Sequence, residues 1–96
     1  MLFRSSCSIA DGCNAPRVGQ LPFELCRELE HVLVSEGEIE EAFRFLYARA
    51  KLAVEPAAAV AAAGLLNCKL EAENPVVVVS GGNVAAEIAS GILASR

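Results

Sequence analysis

The chain has 96 residues, which bounds it to one small domain. It is 54% hydrophobic but only 5% aromatic, so its core must be built from small, closely packed alanine and valine side chains, as in part of a larger α/β body. A formal charge of −4 with few, scattered basic residues argues against a nucleic-acid partner, and no apolar run approaches the roughly 18 residues of a membrane span.

Residues 1–20 are expected to be irregular, with Gly12, Pro16 and Gly19 among Asp11 and Asn14. Residues 21–96 are expected to form the ordered unit. The opening MLFRSSC lacks the apolar core of a signal peptide, which makes the cytoplasm the expected location. Cys7, Cys13, Cys26 and Cys68 show no C-x-x-C spacing, and the lone His31 completes no zinc pattern. They read as reduced thiols, and no metal site is expected.

Pro22 to Glu30 predicts a short helix, with Leu21, Leu25 and Leu29 on one face. His31 to Val34 is a short β-favouring run. Ser35 then opens S-E-G-E, a capping box in which the Ser35 hydroxyl takes the Glu38 amide and the Glu38 carboxylate reaches back. Glu36 to Lys51 predicts an amphipathic helix. Ile39, Ala42, Phe43, Leu46 and Ala50 form its apolar stripe, and Glu40, Glu41, Arg44 and Arg49 lie on other faces.

Glu55-Pro56 ends that segment and lets Pro56 start the next helix, Ala57 to about Asn67. That helix is apolar on every face apart from Gly64, so it is expected to be buried all round. After a polar connection, Val76 to Val79 predicts a strand with both faces buried, as in a parallel sheet between helices. Asn83 to Ser95 predicts the closing helix, capped by Asn83. The order is β-α-α-β-α, an α/β layered fold rich in helix.

Between strand and helix stands S-G-G-N, Ser80 to Asn83. A hydroxyl at the carboxyl end of a strand, followed by two glycines that admit close approach, is a candidate ligand corner. The same residues read equally well as a tight turn with an asparagine cap. They match neither the dinucleotide glycine fingerprint nor a P-loop.

Five segments in order carry a resemblance: S-I-A-D-G at 8–12, L-P-F-E-L at 21–25, V-S-E-G-E-I at 34–39, A-R-A-K-L-A-V-E-P at 48–56 and V-V-V-V-S-G-G-N-V at 76–84. Together they resemble the pyridoxal-phosphate (PLP) serine/threonine dehydratases and serine racemases of the tryptophan-synthase-β-like fold. The resemblance covers roughly residues 8–90 and implies the C-terminal part of a three-layer parallel-sheet PLP domain. It implies that Ser80 hydrogen-bonds the pyridine nitrogen of PLP, that Gly81 and Gly82 let the ring lie against the backbone, and that Glu55 lies near the cofactor. Glu55 reads equally as an exposed carboxylate at a helix start.

In the racemase-like branch, Lys51 and Asn83 match positions contributing to an effector nucleotide site, although Lys51 also reads as a solvated helix end. Family members usually carry aspartate where this chain has Ala85. The family's Schiff-base lysine lies in an S-x-K-x-R-G segment and its phosphate loop is a glycine tetrad. Neither occurs here, so no catalytic residue is assigned.

The expected activity is thus that of a partial ammonia-lyase (β-elimination giving a 2-oxo acid) or racemase, inactive alone and holding part of a PLP site. The alternative is a non-catalytic protein that docks on a full-length homologue or on itself.

Overall fold

The computed structural model describes residues 8–95; the opening residues, their signal-peptide reading and Cys7 lie outside that range. A 3₁₀ turn at Asp11–Cys13 is followed by α1 (Gln20–Cys26), α2 (Glu36–Ala48), α3 (Pro56–Leu66) and α4 (Ala86–Ala94).

The centre of the molecule is the packing of α2 on α3. Ile39, Ala42, Phe43 and Leu46 of α2 meet Ala58, Ala59, Ala62 and Ala63 of α3, with Ala10, Val54 and Ile92 of α4 closing the cluster. Ala42, Ala59 and Ala63 have no exposed surface at all. Methyl groups at these positions let the two helix backbones approach closely, which larger side chains would prevent.

α2 begins as its sequence dictates. The Glu38 amide donates to Ser35 Oγ at 3.2 Å, and the Ser35 amide donates to Glu38 Oε2 at 2.9 Å, completing the capping box. It ends at Ala48, three residues before the expected Lys51, because Lys51 turns left-handed at φ 59°. The Leu52 amide then closes that turn on the Leu46 carbonyl at 2.9 Å.

Pro56 opens α3 as expected, where its missing N–H has no helical partner to lose. α3 closes in a Schellman motif. Cys68 is left-handed at φ 55°, the Lys69 amide donates to Gly64 O, and the Cys68 amide donates to Leu65 O, both at 3.1 Å.

Several expectations need correction. α3 is not buried all round: Ala61 and Leu66 are exposed, and burial follows the side facing α2. α1 spans Gln20–Cys26 rather than Pro22 to Glu30, and its Leu21 and Leu25 point into solvent because no described element packs on them. Arg44 does not simply face water. Its Nη1 donates to the Ile92 carbonyl at 3.0 Å and to Ser95 Oγ at 3.1 Å, placing a cation at the end of α4.

The order β-α-α-β-α is not what the described residues show. They contain four α-helices and one 3₁₀ turn, with no strand and only an isolated bridge at Arg17. Residues 31–34 and 76–79 belong to no helix, and neither has a ladder partner among the described residues. The valine run shows why. Val77 and Val79 pack against the core, while Val76 is 89% and Val78 70% exposed. The period of two typical of a strand is present, but one face is open where the sequence predicts both to be buried. A strand exists only as part of a ladder, and that requires a neighbouring chain segment.

Candidate functional site

The two most specific sequence segments, K-L-A-V-E-P and S-G-G-N, meet in space. The Glu55 amide donates to the Gly81 carbonyl at 3.1 Å, joining segments 26 positions apart. Glu55 sits at the N-cap of α3 in an extended conformation (φ −83°, ψ 156°), and its side chain makes no cap bond. The carboxylate lies beside Gly81 instead. A Cβ on Gly81 would stand 2.2 Å from Glu55 Oε1, and one on Gly82 would stand 3.1 Å from the Ala53 carbonyl.

Neither glycine has positive φ, so neither is required for conformational freedom. A side chain at Gly81 would displace the Glu55 carboxylate, and one at Gly82 would crowd the Ala53 carbonyl. The reading that these glycines admit close approach is therefore met first by Glu55 and the 53–55 backbone.

Asn83 is not the cap of the last helix. The Val84 amide donates to the Gly82 carbonyl at 3.1 Å, folding residues 82–84 into a three-residue turn with Asn83 at its tip. This turn delays the helix to Ala86 and puts Ala85 at the N-cap, where no side chain can accept a bond. The aspartate that the resemblance implies at that position would be a capping residue, a function Ala85 lacks.

Ser80 ends the valine run. It is exposed, and no hydrogen bond engages its hydroxyl among the described residues. Glu55 and Asn83 line one cavity of about 280 Å³, together with Asp11, Pro56 and Ile88. Lys51 lines another, of about 310 Å³, with Tyr47 and Ala53. The two positions matched to an effector nucleotide site thus lie on separate cavities.

Two long-range contacts of the first turn of α2 had no sequence signal. Glu36, legible only as a first-turn acid, accepts from the Ser8 hydroxyl and, at 2.9 Å, from the Ile9 amide. These bonds, the Ile9 amide above all, hold the Glu36 carboxyl below the ordinary glutamate range. Glu38 pairs with Lys69 at 2.8 Å, and that contact, aided by the Ser35 amide, lowers its carboxyl too. Both partners are far from α2 in sequence, so no local pattern announces them.

Residues 3–82 match the family described as pyridoxal-phosphate dependent enzymes. The chain belongs to that family. The L-threonine dehydratase catabolic TdcB of Staphylococcus aureus strain N315 is 41% identical over 97 aligned residues, covering 94% of this chain and 28% of the relative. Its counterpart from strain USA300 is 40% identical over the same shares. The chain thus spans little more than a quarter of the length of these curated relatives. The membership of a PLP-dependent family read from the five ordered segments is thus borne out, and the curated relatives that match are threonine dehydratases.

The residues present fit one end of the family's cofactor. The exposed Ser80 hydroxyl at the end of the valine run, without a partner among the described residues, offers a ring nitrogen a hydrogen-bonding atom, while the space beside Gly81 is taken by the Glu55 carboxylate. The sequence contains neither the attaching-lysine segment nor the phosphate-binding glycine tetrad that the resemblance implies, so the fit does not extend to the other end.

Proposed function

We propose that this chain supplies the ring-nitrogen end of a PLP site in an ammonia-lyase of the serine/threonine dehydratase type, and that it is inactive alone. The observation that carries this reading is the Glu55 to Gly81 backbone bond, which assembles K-L-A-V-E-P and S-G-G-N into one corner of a chain related to threonine dehydratases. When bound, PLP would supply the electron sink for loss of the α-proton and then of the β-hydroxyl, and hydrolytic loss of the amino group as ammonia then gives a 2-oxo acid.

In this reading the Ser80 hydroxyl orients the ring through its nitrogen. A hydroxyl does not hold that nitrogen protonated as a carboxylate would, which leaves a milder sink suited to elimination. Racemisation uses the same contact. Gly81 and Gly82 admit the ring, and Glu55 closes the side of the corner nearest α3. Residues 76–79 become a strand of the complete sheet once neighbouring strands cover Val76 and Val78.

Joining the chain to the preceding portion of the S. aureus relative tests this. L-threonine is then converted to 2-oxobutanoate, and Ser80→Ala lowers kcat/KM by about tenfold, the equivalent of one hydrogen bond. Turnover by the chain and PLP alone, or full activity of the joined Ser80→Ala protein, overturns the reading.

A second reading, a non-catalytic protein docking on a full-length homologue, draws on surface area. The chain exposes 7315 Å², where a compact protein of 10.1 kDa exposes about 5,300 Å². Co-purification with an intact dehydratase whose activity it alters, without contributing Ser80 to the site, would favour it.

A further inference from the structure

The segment Ser8–Asn14 is irregular, yet it forms one wall of the cavity shared by Glu55 and Asn83, through Ile9 and Asp11. Irregular chain holds a position only where specific bonds fix it. Here the bonds converge on one side chain. Glu36 accepts from the Ser8 hydroxyl through Oε1 and from the Ile9 amide through Oε2, so both carboxylate oxygens are committed to this segment.

Around that clasp the segment is tied to itself. Ser8 Oγ accepts the Ala10 amide at 3.1 Å, and Asn14 Nδ2 donates to the Ser8 carbonyl at 2.9 Å. On the other side, Gly12 approaches α3 so closely that a Cβ there would stand 3.0 Å from Ala57 Cβ. The segment is therefore gripped between the first turn of α2 and the first turn of α3.

We infer that Glu36 is a positioning residue of the cavity that adjoins the cofactor corner at Asn83: its carboxylate clasps Ser8 and Ile9 and so sets the wall bearing Asp11 in the cavity that Glu55 and Asn83 also line. This role rests on the reading of residues 80–83 as a ligand-facing corner. It assigns Glu36 no contact with substrate or cofactor. Two features separate it from ordinary helix-end electrostatics. The clasp reaches back 27 to 28 residues, and it uses both oxygens on named donors rather than on the helix's own amides.

Glu38 provides the control. It stands in the same turn, carries the same charge and completes the capping box, but contacts Ser35 and Lys69 instead of the 8–14 segment. Amide exchange and methyl NMR spectra of the full chain, without cofactor, are compared for Glu36→Gln and Glu38→Gln. The expected result is that Glu36→Gln speeds exchange at Ile9 by about tenfold or more and shifts the Val84 and Ile88 methyl signals across the cavity. Glu38→Gln should loosen the start of α2 and leave both unchanged.

Ser8→Ala against Ser8→Thr repeats the test should Glu36→Gln fail to fold. Alanine removes the hydroxyl and shifts the same methyl signals, whereas threonine keeps it and restores them. Equal effects of Glu36→Gln and Glu38→Gln on Ile9 would overturn the inference. So would a loosened Ile9 with unmoved cavity signals. These readouts need no cofactor, so their failure is distinct from a failure of the Ser80→Ala test of activity.

Discussion

Gly81 illustrates how one missing methyl group organises the candidate site. From sequence, two glycines after a strand suggest conformational need or ligand approach, and both explanations are local. The structure gives a third, since the Glu55 carboxylate occupies the volume a side chain at Gly81 would need. Gly81→Ala must therefore displace Glu55, and the two positions are energetically coupled. A double-mutant cycle is expected to show Gly81→Ala costing about 1 kcal/mol in the parent and little in the Glu55→Ala background. Chemical denaturation of the four proteins measures it, and a coupling near zero would remove the steric account. Glu55 was legible as a site residue only through the family resemblance, because its partner is 26 positions away.

Among the helix starts, that of α2 was the most legible and that of α4 the least, and capping explains both. The Ser35–Glu38 box is written in four adjacent residues, and it forms. At α4 the sequence offers Asn83 as a cap, but the turn at 82–84 consumes that residue and leaves Ala85 at the helix start. Ala85→Asp should restore an acceptor for the first-turn amides and raise stability by about 1 kcal/mol, read as a higher denaturation midpoint. The acidic start of α2 also sets a pH response. Glu36 and Glu38 both titrate below their ordinary values in the folded chain. Their stabilising contribution is thus complete above the ordinary glutamate range and lost as the pH falls through the lowered folded values. Exchange at the Ile9 and Glu38 amides is expected to rise, after correction for intrinsic rates, as the pH falls from above the ordinary glutamate range through the lowered folded values, and Glu36→Gln should abolish the dependence at Ile9 alone.

For the whole molecule, the surface exceeds that of a compact protein of the same mass by about 2,000 Å², the area of a sizeable protein interface. The exposed apolar groups are distributed in sequence but share a cause. Leu33 is 87% exposed; the open side of the valine run, which the sequence predicts to be buried, is exposed too, as are Leu21 and Leu25 of α1 to a lesser degree. In the proposed reading these faces are the ones that the remainder of a family member covers. Mixed with the complementary part of a relative, the chain is expected to co-sediment as a complex. Val78→Lys should abolish this while leaving the helical circular dichroism intact. Unchanged association of that variant would show that the valine face is not the contact.

The sequence by itself determined what depends on neighbours in the chain. That comprises the capping box, the proline start of α3, the apolar stripe of α2 and the ordered motifs that place the chain among PLP-dependent enzymes. Only the tertiary structure decided what depends on distant segments: Glu55 filling the space beside Gly81, Glu36 clasping Ser8 and Ile9, Arg44 closing α4, and Asn83 yielding the cap to Ala85. The valine run lies on the boundary between the two. Its side-chain period is fixed locally by the extended backbone, but a strand is completed only by hydrogen bonds to a neighbour, and among the described residues no neighbour supplies them.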